Sequence, residues 1–333
     1  MASKLINNPD KIVEELIEGC ICINKDKLKS IKEKNIIARI DTPIKGKVGI
    51  IIGCGSGHEP LPAEFVGEGM ADAAVCGQIF AAPSVSQYLA AIKAVDSGEG
   101  IILLINNYTG DMINSKMAID LAREEGLLVD RVIIHDEISS APIGKREERR
   151  GTTANHLITK IAGASSGEHL KFNDLIELVK RAEYNCRSLG VSLSACTRPG
   201  TTKPTFDLEM GKMEFGMGLH GEVGIKRIDL MSADETTKTI LDILIKDLPY
   251  KNGDEIVVIV NGYGSTTRME MLIISRYIYS YMKDLGIKIH ATEVGEFCTS
   301  QEMAGVSITL MKLDEELKLF YDMKAISPGY IKV

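Results

Sequence analysis

Apolar runs of strand length alternate along this chain with segments of helical periodicity, and this alternation restricts the fold more than any other feature. GKVGIIIGCGSG (46–57), GIILLINN (100–107) and VDRVIIHD (129–136) are the strand-like runs of the first half. A helical pattern through Met112, Met117 and Leu121 separates the last two. Near-continuous apolar strands joined by helices call for a mainly parallel sheet covered on both faces. The second half repeats the style in GVSLSAC (190–196), EIVVIVNG (255–262), IKIHATEVG (287–295) and GVSITLMKL (305–313).

Helix punctuation agrees with this reading. Asn8 can cap and Pro9 suits a first turn, ahead of an apolar face of Ile12, Val13, Leu16 and Ile17. Thr267 and Glu270 have capping-box spacing, and Gly286 is a plausible stop for the helix between them. A helix over 172–190 would bridge the halves. The expected fold class is therefore α/β: two α/β domains, each with a largely parallel or mixed sheet flanked by helices. A chain of 333 residues is long enough for both, and we place the division at 1–184 and 185–333.

Composition removes several function classes. A formal charge of −7 argues against a general grip on nucleic acid, and direct nucleic-acid binding is not expected. No apolar run approaches the roughly 20 residues of a membrane span, so no membrane association is expected. The N-terminal MASKLINNPDK has neither an apolar core nor a cleavage pattern, which predicts a cytoplasmic protein. Seven cysteines at 20, 22, 54, 76, 186, 196 and 298 include only one close pair, C-I-C, which has neither zinc-site nor thioredoxin spacing. No metal and no cofactor are expected.

Three stretches could carry chemistry. GCGSGHEP (53–60) ends an apolar strand and places His58 where open α/β sheets bind ligands. Its G-x-G-x-G spacing, followed by His-Glu-Pro, does not fit a dinucleotide fingerprint; a structural turn is the bland alternative. NNYTGD (106–111) delivers Asp111 toward the same edge through a Thr-Gly turn. Alone, Asp111 reads as a local turn device, but beside His58 it pairs a carboxylate with an imidazole, as general acid–base work needs. EFGMGLHGEVG (214–224) surrounds His220 with four glycines, which signals either a tight turn or close approach by another group. The charged run Lys145–Arg150 is either solvated or an anchor for a partner or lid.

Together with ERRG, SACTRPGTTKPTF and CTSQEMAGVSITLMKLD, these motifs resemble the substrate-binding subunit of bacterial dihydroxyacetone kinases. The likeness runs from Leu5 to the C-terminus. It implies that His220 forms a reversible covalent hemiaminal with the ketone carbon of dihydroxyacetone. It assigns Gly55, Ser56, Gly57, His58 and Asp111 to the substrate hydroxyls, with His58 and Asp111 as acid or base in a kinase. It also implies a homodimer. The chemistry is sensible, because an imidazole with an ordinary pKa of about 6.5 is largely neutral at pH 7 and has a lone pair to attack a carbonyl.

The chain departs from the family pattern at three places. Cys54 replaces the middle glycine of G-G-G-S-G-H, Ala82 replaces a serine before Pro83, and Asn106 replaces a lysine before Asn107-Tyr108. A lysine there would steady developing phosphate charge, whereas Asn106 retains only hydrogen bonding in the substrate pocket. No P-loop or kinase glycine loop is present, and the nucleotide-binding domain of single-chain kinases is not seen. The resemblance thus implies a dihydroxyacetone-sensing coactivator that associates with a TetR-type transcription factor, in the setting of glycerol metabolism. The alternative is the substrate-binding subunit of a phosphotransferase-system-dependent kinase, partnered by a nucleotide-binding subunit.

Overall fold

The computed structural model describes residues 4–31 and 34–333. The first three residues of the stretch read above for a leader lie outside them. Two compact units divide the chain, each discontinuous in sequence. The first comprises Lys4–Ile134, Asn155–Ala182 and Leu317–Val333; the second comprises His135–Ala154 and Glu183–Glu316. The chain therefore passes between units several times, whereas the sequence reading set one division after residue 184.

The sheet of the first unit contains β1 (Leu28–Ile31), β2 (Ile36–Arg39), β3 (Gly49–Ser56), β4 (Ala73–Ile79), β5 (Ile101–Asn106) and β6 (Val129–Ile134), in the order β1-β2-β4-β3-β5-β6. The four strands from β4 to β6 run parallel, and β1 and β2 add an antiparallel margin. β3 and β5 are buried at every position, as a sheet covered on both faces demands. Helices α1 (Ile12–Ile23), α2 (Val85–Val95), α3 (Thr109–Glu124) and α4 (Ala154–Gly167) accompany the sheet. Tyr88, Ala91 and Ile92 of α2 and Ala118, Ile119 and Ala122 of α3 join Ile51, Val75 and Leu103 in one core. α4 is tied to the strands by hydrogen bonds from Asn155 to Asn106 and from Ser166 Oγ to the Val48 carbonyl.

After α5 (Phe172–Tyr184) the second sheet takes β7 (Cys186–Ser192), β8 (Lys212–Phe215), β9 (Lys226–Asp229), β10 (Glu255–Gly262), β11 (Lys288–Gly295) and β12 (Gly305–Leu313). Its order is β11-β10-β12-β7-β8-β9, and only β10 and β11 are parallel. α6 (Ala233–Asp247) and α7 (Arg268–Asp284) cover one face with Ile240, Leu244, Ile274 and Ile278 against Val258, Val260, Leu189 and Ile308. Polar side chains elsewhere in this sheet are buried but partnered: Ser188 with Thr309, Ser307 with Thr153, and Asn261 Nδ2 with Ser307. α8 (Glu315–Asp322) leads to the hairpin β13 (Ala325–Ser327) and β14 (Tyr330–Lys332) in the first unit.

Several expectations need adjustment. The helix predicted over 172–190 stops at Tyr184, and the next strand spans 186–192 rather than 190–196. Pairing explains the shift, since residues 186–192 are claimed along their length by β12. Met117 and Leu121 of α3 face solvent, while Asp111, Ser115, Ala118, Ile119 and Ala122 are buried. Small side chains at helical spacing let that face sit close to its neighbours. The capping box at Thr267 and the left-handed stop at Gly286 (φ +69°) are as predicted.

In the charged run 145–150, Lys145, Glu147 and Glu148 are solvated as one reading expected, but the three arginines are held by carboxylates. Arg149 is only 1% exposed and donates twice to Asp247, which also accepts from Arg187. Arg146 donates to Glu183, and Arg150 to Glu137. Removing a shared, largely buried counter-charge strands two buried guanidinium groups at once. Asp247→Ala should therefore lose about 3–5 kcal/mol of stability, seen as a lower urea midpoint; a loss below about 1 kcal/mol would contradict this assignment.

Candidate functional site

In the first unit the candidate residues collect where parallel strands end. β3 closes at Ser56, β4 at Ile79 and β5 at Asn106, all on the carboxyl edge of the sheet, where open α/β folds bind ligands. A side chain on Gly77 would have its Cβ 2.0 Å from the Ala81 carbonyl oxygen, and one on Gly55 would lie 2.8 Å from the Ala81 nitrogen. The loop after β4 packs directly on these two glycines. Phe80 bears the turn in the left-handed region (φ +58°), a strained place for an aromatic residue.

His58 follows Gly57 (φ +100°), is 4% exposed, and stacks on Phe80 with ring centroids 5.1 Å apart. The Gly57 amide donates to Glu59 Oε1 at 2.9 Å. Burial pushes the Glu59 carboxyl above its usual range, against the opposing effect of that amide. Ser56 is fully buried and its hydroxyl donates to the Gly77 carbonyl at 2.7 Å, so its side chain holds β3 to β4.

Asp111 sits in the first turn of α3, not in a free turn as the sequence suggested. A carboxylate is well placed there by the helix dipole. Tyr88 donates to Asp111 Oδ1 at 3.3 Å, and burial together with the Asp111 charge pushes the phenol far above its normal range, so it stays a donor. Asn106 is buried and its Oδ1 accepts from Asn155 Nδ2 at 2.9 Å; Asn155 in turn accepts from Thr159. Ala82 borders the first turn of α3, since a Cβ on Gly110 would stand 2.9 Å from its methyl. Cys54 is buried, its thiol 3.2 Å from the Gly55 carbonyl.

In the second unit His220 lies on the loop joining β8 and β9. Its Nδ1 is 3.0 Å from Glu222 Oε1, and its backbone N–H donates to Glu222 Oε2, also at 3.0 Å. The glycines answer the question posed by their density. Gly216 and Gly221 have φ of +69° and +88°, and Cβ atoms on Gly218 and Gly224 would fall 2.1 Å from Glu222 Oε2 and 2.3 Å from the Phe215 carbonyl oxygen. Ser300 Oγ donates to the Leu219 carbonyl and pins the loop. His220 borders a cleft of about 550 Å³ whose other wall is the segment 198–205, with Arg198 and Lys203.

Glu222 was quoted in the sequence motif without a role. Burial favours its neutral form, but the hydrogen bond and charge of His220, with Arg150 behind, hold its carboxyl at about 2. Among the described residues no cysteine is paired, no cluster could hold a metal ion, and no helix is long and apolar enough to cross a membrane.

Comparison with known proteins decides the family. A profile of the Dak1 domain matches residues 18–329. The chain belongs to the Dak1 family. Among similar Dak1 proteins, the PTS-dependent dihydroxyacetone kinase 1, dihydroxyacetone-binding subunit DhaK, of Listeria innocua is 37% identical over 313 residues, covering 94% of this chain and 95% of that protein. The DhaK subunit of Lactococcus lactis is 36% identical over 98% of this chain and 99% of its own length. Among solved Dak1 structures, the dihydroxyacetone kinase of C. freundii superposes with a TM-score of 0.92 at 31% identity, over 100% of this chain and 61% of that one. A dihydroxyacetone kinase operon co-activator, Dha-DhaQ, gives 0.88 at 29% identity, over 95% and 97%. The two mixed sheets flanked by helices are thus a Dak1 fold.

The depressed carboxyl gives a signed pH dependence. Glu222 should lend order to the His220 loop above its ordinary value of 4.5, and this contribution should fade as pH falls toward 2. Amide shifts of Gly218 and Gly221 through an acid titration would report it; loss complete above pH 4.5 would contradict the pairing.

Proposed function

We propose that this Dak1 protein captures dihydroxyacetone as a covalent hemiaminal on His220 and acts as a non-catalytic sensor, a coactivator of a TetR-type transcription factor controlling dihydroxyacetone kinase genes. The observation that carries the capture step is the Nδ1 contact to Glu222 at 3.0 Å. With hydrogen on Nδ1, the lone pair resides on Nε2. Attack forms the Nε2–C2 bond as the carbonyl π electrons move to oxygen. The alkoxide takes up a proton, Nδ1 releases one to solvent, and Glu222 faces the positive charge that develops between. Glycerol has no electrophilic carbon and cannot make this bond. His58, Asp111 and the Gly55–His58 backbone would serve the two hydroxyls, and Asn106 would add a neutral hydrogen-bonding group.

The sensor role rests on Asn106 and Ala82. Covalent capture stabilises ground state and transition state alike, so it survives loss of groups that serve only developing phosphate charge. Asn106, engaged by Asn155, brings no cation to that duty. A similar fold occurs in a protein named as an operon co-activator. The second reading, a kinase subunit paired with a nucleotide-binding partner, draws on near full-length identity of 36–37% to DhaK subunits. A homodimer and a cytoplasmic setting accompany both readings.

Two measurements test these statements. Calorimetry should show dihydroxyacetone binding to the parent, poor binding of glycerol, and more than about a tenfold loss of affinity in His220→Ala; unchanged affinity would remove His220 from the mechanism. With nucleotide-loaded partner subunits of a related kinase, the parent chain should yield no phosphorylated ketone. Slight turnover recovered by Asn106→Lys with Ala82→Ser would support the sensor reading, and robust turnover by the parent would establish the kinase subunit instead.

A further inference from the structure

The ERRG motif has no part in the chemistry so far, yet Arg150 reaches the His220 loop. Its Nε and Nη2 donate to both oxygens of Glu137, at 2.6 and 3.0 Å, and Nη2 also donates to the Gly216 carbonyl at 3.2 Å. Ser139 supports this arrangement, donating to Glu137 Oε1 at 2.8 Å. On the other side, a Cβ at Gly218 would stand 2.7 Å from Arg150 Nη1 and 2.1 Å from Glu222 Oε2. Guanidinium and carboxylate therefore pack against the same glycine. Glu137 is buried, and burial pushes its carboxyl up while Arg150 opposes that shift. One cation thus stands between two carboxylates, and the second of these carries His220.

We infer that Arg150 and Glu222 are positioning residues that fix the tautomer and ring orientation of His220, so that the nitrogen presented to the ketone bears a lone pair. The inference rests on the proposed capture by His220. Neither residue is asked to touch the ketone. Glu222 accepts at Nδ1 and from the His220 backbone N–H, so ring and main chain are held by one carboxylate. Arg150 packs beside that carboxylate across Gly218, and its bidentate pair with Glu137 fixes the guanidinium in turn. A carboxylate that orients a histidine through its second ring nitrogen recurs in metal sites, where loss of such outer partners typically costs about 10–100-fold in affinity or activity.

Long-range ¹H–¹⁵N spectra of the imidazole, on intact protein without ligand, read the tautomer directly. The parent should show a protonated Nδ1 and a lone pair at Nε2. Glu222→Gln and Arg150→Met should each give a mixed population and bind dihydroxyacetone roughly 10–100-fold more weakly, and Arg150→Lys should recover part of both effects. A purely structural role would lower thermal stability without moving the tautomer. If Arg150→Met does not fold, Glu222→Gln decides, since its site is partly exposed. An unchanged tautomer and affinity in Glu222→Gln would overturn the inference. A tautomer that shifts in a protein whose parent forms no adduct would uphold the positioning and refute the capture.

Discussion

A carboxylate can grip His220 at both its ring and its backbone only because Gly218 has no side chain. The Glu222 oxygen occupies the space a Cβ would need, and Arg150 approaches the same face. Left-handed backbone at Gly216 and Gly221 then bends the chain so that residues two apart face each other across a hydrogen bond. Glycine normally costs backbone entropy in an ordered element. Here Gly218 leaves the space that the Glu222 carboxylate fills, and Gly216 and Gly221 supply the left-handed turns on either side.

The first unit solves a different problem with the same device. Parallel strands end at one edge, and the loop after β4 folds back tightly on β3 and β4 there. Gly55 and Gly77 admit the backbone of the loop after β4, which carries Phe80 against His58. Asp111 arrives in the first turn of a helix, where the dipole favours its charge, and Tyr88 fixes its orientation. Polar groups at this edge are thus held by neighbours within the unit.

Much of this was legible in the chain. EIVVIVNG and GVSITLMKL are strands at the expected residues because continuous apolar runs bounded by turn residues have few other uses. Glycine density around His220 announced a conformational demand, though not which atom made the demand. The face of α3 was misread, since Ser115, Ala118, Ile119 and Ala122 rather than Met117 and Leu121 are buried. β8 and β9 went unnoticed because KMEF and KRID are short and charged. The arginines at 146, 149 and 150 left a solvated run and a partner or lid anchor equally open. Their partners, Glu183, Asp247 and Glu137, lie at sequence separations that no local pattern encodes.

A crystal structure of the protein soaked in dihydroxyacetone tests the central claim most directly. The account predicts continuous density from His220 Nε2 to a tetrahedral C2. A planar, unattached ketone beside an undisturbed imidazole, or a ligand bound away from His220, would contradict it.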